Sequence, residues 1–231
     1  MKYAVIGAGG MGIQYGVLLQ EFAHKDVDFV DTWKPNVEKI RELGGAYVSQ
    51  DGEDRHLVPI NVYYPEEYAG QPDVWIVFLK QMQLDGVLKR CAHLFNEKQI
   101  VFSAMNGYGH FEKLNEYFST DRIYGGTALI GAYVYGPGDF NFTGGVHAKA
   151  MNLCAYADTV TDEVRKTRAG AVRGFRNGHA QPDHRGQLHR HVHGENRIQL
   201  GAEHVVYHVP DSFRRIPCAS RRALAHRTAG R

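Results

Sequence analysis

Three glycines, at positions 7, 9 and 12, follow a short apolar run, Lys2-Tyr-Ala-Val-Ile6, and lead into a set of apolar residues at helical spacing, Met11, Tyr15, Leu18, Leu19 and Phe22. No other stretch restricts the fold as tightly. The first run reads as a buried strand and the second set as one face of a helix. Joining them so abruptly asks for a tight turn at Gly7. It also asks for a backbone without a Cβ at Gly9, and a helix pressed against its strand at Gly12. N–H groups left free at the helix start attract a diphosphate. Gly7, Ala8, Gly9, Gly10, Met11 and Gly12 are therefore candidate dinucleotide contacts. The bland alternative is a structural glycine turn.

The pattern continues as alternating strand and helix for about 130 residues. Val27–Val30 predicts a strand, and Pro35–Leu43 a helix with Pro in its first turn and Gly44-Gly45 beyond it. Residues 46–64 alternate around a polar Asp-Gly-Glu-Asp turn, which predicts a hairpin or two short strands. Strands follow at Asp73–Leu79, Gln99–Ser103 and Arg122–Thr127, with helices at Gln83–Phe95 and Phe111–Phe118. The fold class expected is α/β, a Rossmann-type doubly wound, mostly parallel sheet.

Three further positions bear on chemistry. Asp31 lies nineteen residues after Gly12, at the end of the second strand, where an acid accepts from the adenine ribose hydroxyls and disfavours a 2′-phosphate. Lys34 is near enough to offset that charge, and Asp31 could instead cap the next helix, so NAD and NADP both stay open. Lys80 ends the strand VWIVFLK at the sheet edge that faces ligands; its bland reading is a solvated surface lysine. Asn106, in Asn-Gly-Tyr-Gly, follows the next strand at the same edge, where an amide can hold a carboxamide or a substrate carbonyl. Its bland reading is an Asn-Gly turn.

Composition breaks near residue 162. Residues 1–162 hold thirteen Lys+Arg against twenty Asp+Glu, and residues 163–231 hold fourteen against five, so balances of −7 and +9 make up the overall +2. The bases change from nine Lys and four Arg to one Lys and thirteen Arg, and eight of the thirteen His fall in the second part. Three Cys without paired spacing fit a reducing compartment. No apolar run approaches the roughly 18 residues of a membrane span, and no signal peptide is visible. The expectation is a cytoplasmic protein with no membrane partner. Two domains are expected: 1–162, NAD(P)-binding, and 163–231, an Arg/His-rich tail.

The glycine segment GAGGMG, "VFLKQMQLDGVL", "SAMNGYGHFEKL" and "GGTALIGAYVYGPGDF" together resemble the ketopantoate reductase (2-dehydropantoate 2-reductase) family, in its order and spacing, over roughly residues 1–160. The resemblance implies an NADPH cofactor, with NAD allowed by Asp31. It places Gly7–Gly12 at the pyrophosphate, Lys80 and Asn106 at the nicotinamide and substrate end, and Ala132 at a further cofactor contact. It implies reduction of 2-dehydropantoate, a small-molecule 2-oxoacid, to (R)-pantoate for coenzyme A synthesis; a homodimer is compatible with it. It also implies a helical second domain carrying a catalytic Lys.

Residues 163–231 do not show that domain's pattern. Lys166 is their sole Lys and lies in Arg-Lys-Thr-Arg without an apolar helical face, so no catalytic residue is assigned. Few large aliphatics remain there to offset chain entropy, and an aberrant, disordered tail is expected. One synonymous back-translation of Ala169–Cys218, read one nucleotide forward, gives an apolar run holding a Lys, then Asn-Ser and a second Asn. That resembles the start of the family's second domain, and an out-of-frame origin is the favoured reading. Alternating His189, His191 and His193 could bind Zn²⁺ or Cu²⁺, but no Cys or carboxylate spacing supports a metal site. An Arg-rich tail could bind phosphates, yet it lacks interleaved aromatics, so no nucleic-acid partner is expected. Impaired turnover is the expectation for this chain. The alternatives are a cofactor-binding remnant, another 2-oxoacid or 3-hydroxyacid dehydrogenase, and a Rossmann domain with a nucleic-acid-binding tail.

Overall fold

The computed structural model describes residues 1–21, 23–107, 109–143, 151–157, 161–166 and 169, with 151–154 as backbone only. Of the expected Arg/His-rich tail only residues 163–166 and 169 are described: residues 162–166 are helical and Val164 is fully buried in the main core, so the ordered chain runs past the expected boundary at 162. The tail's histidines lie outside the described residues.

The chain alternates β1 (Lys2–Ile6), α1 (Gly10–Glu21), β2 (Asp26–Val30) and α2 (Lys34–Leu43), then forms β3 (Gly45–Gln50), β4 (Glu53–Pro59) and β5 (Asn61–Tyr63). It resumes with β6 (Val74–Val77), α3 (Gln81–Cys91), β7 (Ile100–Ser103), α4 (His110–Leu114) and β8 (Ile123–Ala128). Strands β9 (Gly131–Gly136), β10 (Asp139–Thr143) and β11 (Met151–Ala155) complete it. The main sheet has the order β11-β8-β7-β6-β1-β2-β5. Six of its strands pair in parallel, and β11 runs antiparallel to β8 at one edge. This is the doubly wound architecture that the alternating pattern predicts. From β1 the chain winds outward through β2 on one side and β6 on the other, so the strand order reverses at β1. In such sheets the ligand crevice lies at this reversal, which here falls beyond the carboxyl ends of β1 and β6.

Period-2 side-chain alternation divides each central strand between two cores. Tyr3 and Val5 join Phe29, Ile76 and Phe102 beneath α1. Ala4 and Ile6 join Val30, Trp75 and Val77 against Leu84 and Leu88 of α3. Trp75 is fully buried, and its indole N–H donates to Gln99 Oε1 at 2.9 Å, so this large ring leaves no orphan donor. Helix α2 has Pro35 in its first turn and ends on Gly44 at φ 66°, as its sequence implies. Cys91 is buried, and burial pushes its thiol up to about 12, which makes it an inert core residue.

Several elements differ from the expectation. The helix expected over Phe111–Phe118 closes at Leu114, because Tyr117 and Phe118 turn in to pack on Phe95, at centroid distances of 5.7 and 4.7 Å. The helix expected over Gln83–Phe95 starts two residues earlier and gives way to a 3-10 turn at Ala92–Leu94. The hairpin expected within 46–64 forms as β3 and β4, but it belongs to a second sheet, ordered β4-β3-β10-β9. Strands β9 and β10 were not anticipated. Their Gly- and Tyr-rich segment lacks clean alternation, and its partner β3 lies about ninety residues earlier.

Candidate functional site

The glycine turn joins β1 to α1 at the crevice. Gly7 has φ 100°, a conformation L-residues rarely adopt, and its N–H donates to Val30 O at 2.8 Å. A Cβ on Gly12 would lie 1.8 Å from Gly7 O, so α1 can approach β1 this closely only without a side chain there. A Cβ on Gly9 would meet no heavy atom within 4 Å. Of the three glycines of this motif, Gly9 is the one that no contact among the described residues requires, and it faces open space where a diphosphate would approach. Ile13 N donates to Gly9 O at 2.9 Å, so helical pairing begins at Gly9 and the first N–H groups of α1 have no intrahelical acceptor. Gly10 and Met11 open this helix, and both are partly exposed. Ala132, on β9, flanks the turn: its Cβ lies 3.0 Å from where a Cβ on Gly10 would be. The second sheet therefore walls one side of the cradle. Together these features fit a dinucleotide diphosphate.

Asp31 directly follows β2 and is 8 % exposed. Its Oδ2 accepts from Ala8 N–H at 2.5 Å, and its Oδ1 from the N–H groups of Thr32 and Trp33 at 2.6 and 2.8 Å. The helix-capping alternative is corrected in detail. The N-cap of α2 is Trp33, without a side-chain cap, and Asp31 holds the turn before it together with the glycine turn. Lys34, the candidate counter-charge, is exposed and pairs with Glu38 at 3.5 Å.

Lys80 is the exposed N-cap residue of α3. Asn106 is exposed in the loop after β7. Strands β6 and β7 are parallel neighbours with Val77 opposite Ser103, so Lys80 and Asn106 leave the same sheet edge side by side. Gln81 Nε2 lies 3.6 Å from where a Cβ on Gly109 would be, which places the two loops in contact. An ammonium and a carboxamide at one crevice can hold a carboxylate and a carbonyl, the two oxygen groups of a 2-oxoacid.

Sequence reasoning missed Asn36 and His110. Asn36 is fully buried in the first turn of α2, and its amide touches the glycine turn. A polar residue in an otherwise good helix start was the available signal. His110 opens α4 beside the Asn106 loop, 3 % exposed, and neither ring nitrogen has a hydrogen-bond partner among the described residues. Burial holds its imidazole below the ordinary 6.5, with Glu112 opposing. The native state therefore resists a proton that the unfolded chain accepts. This stability contribution is complete above about pH 6.5 and is lost as pH falls through the lower folded value. Urea midpoints should fall between about pH 7.5 and 5.5, and should fall less in His110→Phe, which keeps an aromatic ring that cannot take a proton. Equal declines in parent and variant would contradict this.

Among the described residues, no group of three or more His, Cys, Asp or Glu could hold a metal ion. No helix among them is long and apolar enough to cross a membrane.

A family model described as "Ketopantoate reductase PanE/ApbA" matches residues 3–153. The chain is 30 % identical over 155 residues to a 2-dehydropantoate 2-reductase of Lactococcus lactis, a match covering 66 % of this chain and 49 % of that one. The chain spans about half the length of the curated relatives it matches. A D-mandelate dehydrogenase, solved as a ternary structure with NADH and anilino(oxo)acetate, superposes with TM-score 0.68 at 26 % identity, covering 77 % of this chain and 55 % of that one. A 2-dehydropantoate 2-reductase from Geobacter metallireducens does so with TM-score 0.63 at 25 % identity, covering 77 % and 56 %.

Proposed function

The chain belongs to the PanE/ApbA ketopantoate reductase family, and from that membership we propose that residues 1–162 form the dinucleotide-binding half of an NAD(P)H-dependent reductase acting on 2-dehydropantoate. The observation that carries this reading is the Gly9 cradle, open where a side chain would project and walled by Ala132. When bound, the reduced nicotinamide supplies the hydride. The chain's own residues bind and orient: Gly7 and Gly12 shape the turn, the opening N–H groups of α1 receive the diphosphate, and Ala132 closes one side. Lys80 attracts the substrate carboxylate, while the Asn106 amide donates to the substrate carbonyl and so favours charge developing on that oxygen. Protonation of the resulting alkoxide falls to the second-domain lysine that the family resemblance implies. No residue of 1–162 takes that role, and turnover by this 231-residue chain alone is proposed to be low. An out-of-frame origin of residues 163–231 remains part of this reading.

The family resemblance implies NADPH. One observation supports NADH instead: the Asp31 carboxylate lies against the glycine turn, bonded to Ala8 N–H, and Lys34 pairs with Glu38. A 2′-phosphate would meet a negative charge without a dedicated cation. The D-mandelate dehydrogenase that shares the fold was solved with NADH, which supports the same choice and a wider range of 2-oxoacids. Titration of the full chain with each nucleotide tests this. The expected result is NADH binding at least about tenfold tighter than NADPH, about 1.4 kcal/mol; tighter NADPH binding would restore the resemblance-based cofactor. A substrate panel with the preferred nucleotide, including 2-dehydropantoate and an aryl 2-oxoacid, reads the acceptor.

A further inference from the structure

We propose that Asn36 is a positioning residue for dinucleotide binding, one that fixes the Ala8–Gly9 peptide and ties it to the β9–β10 turn; this rests on the cofactor reading above. The Asn36 side-chain amide is used at both ends. Its Nδ2 donates to Ala8 O at 2.9 Å, and its Oδ1 accepts from Gly138 N–H at 2.9 Å. A fully buried amide is retained at low cost only when it is paired in this way. Ala8 O and Gly9 N–H belong to one planar trans peptide, so they point in opposite directions. Pinning the carbonyl towards α2 turns the Gly9 N–H away from α2. Glycine on the far side of this peptide would otherwise let it rotate freely. On the near side, Asp31 holds Ala8 N–H, so consecutive peptides of the turn are held by two side chains from one segment.

The other end of the bridge matters equally. Gly138, at φ 71°, makes the turn between β9 and β10. Strand β9 carries Ala132 against Gly10. Asn36 therefore sets the floor of the cradle and anchors its wall with one amide. The charged groups nearby are Asp31, across Ala8, and Lys39, whose stem packs on Gly138 while its ammonium pairs with Glu42 at 3.0 Å.

Asn36→Asp and Asn36→Leu, in the full chain, test the assignment by calorimetric titration with NADH and with ADP, which shares the diphosphate. Both variants should bind both nucleotides at least about tenfold more weakly at about pH 8, since a buried carbonyl loses its donor. Asn36→Asp should recover towards the parent at about pH 5.5, because a buried carboxyl protonates readily and then donates to Ala8 O as the amide did. Parent and Asn36→Leu should show no such recovery. A merely structural role would lower the binding stoichiometry and the melting temperature while leaving the Kd of the folded fraction unchanged. That outcome, or Asn36→Asp lacking recovery, overturns the proposal; a parent that binds neither nucleotide overturns the cofactor reading itself. Should Asn36→Leu fail to fold, the pH profile of Asn36→Asp decides.

Discussion

Gly9→Val is expected to fold like the parent and to bind NADH about 100-fold or more weakly, a loss of about 3 kcal/mol. The two halves of this expectation have separate causes. A Cβ at Gly9 meets nothing within 4 Å, and Gly9 lacks the positive φ of Gly7, so the first side-chain atom there strains neither packing nor backbone. Removing a glycine also narrows the unfolded ensemble, which slightly favours the folded state. The same open space is where the diphosphate would lie, and the valine methyl groups would occupy it. Thermal unfolding and a fluorescence titration of one preparation read both halves. A variant that binds as the parent does would show that the diphosphate lies elsewhere.

Gly12→Val gives the opposite combination. Its Cβ would begin 1.8 Å from Gly7 O, a backbone atom of the turn, and 3.1 Å from Val5 Cγ1. No rotamer relieves contact with a backbone oxygen, so α1 must move away from β1. Overpacking of this kind costs about 1–3 kcal/mol and often more, which lowers the melting temperature by several degrees, roughly 2–4 °C per kcal/mol for a chain of this size. Displacing α1 also misaligns its first N–H groups, so cofactor binding should be lost as well. Melting temperature and NADH affinity are therefore expected to fall together at position 12 and to part company at position 9. Equal stability of Gly12→Val and the parent would contradict the close approach of α1.

The contrast between these two glycines marks what the sequence could and could not reveal. Spacing alone assigned Gly7, Gly9 and Gly12 their separate roles, because each role follows from the stereochemistry of joining a strand to a helix. The parallel sheet was legible for the same reason: Trp75, Ile76 and Phe102 lie in short apolar runs that alternate with amphipathic helices. What escaped was long-range pairing. Nothing near Phe140 in the sequence says that β10 will lie beside β3, with Phe140 opposite Val48, about ninety residues away. Consequently the wall around Ala132 could be assigned only through the family resemblance. Asn36 escaped for a related reason, since its two partners, Ala8 and Gly138, are 28 and 102 residues distant. Asp31 was legible as an acid directly after β2. Its bond to Ala8 N–H, which makes it a support of the glycine turn, belongs to tertiary structure.

Hydrogen–deuterium exchange of the full chain with and without saturating NADH tests the central claim most directly, because it reports where the nucleotide sits as well as whether it binds. The predicted result is slowed exchange at the amides of residues 9–13, with a smaller change in the peptide that holds Ala132, and no change along β4 at the far edge of the second sheet. Saturable binding that leaves residues 9–13 exchanging as in the free protein would contradict the account.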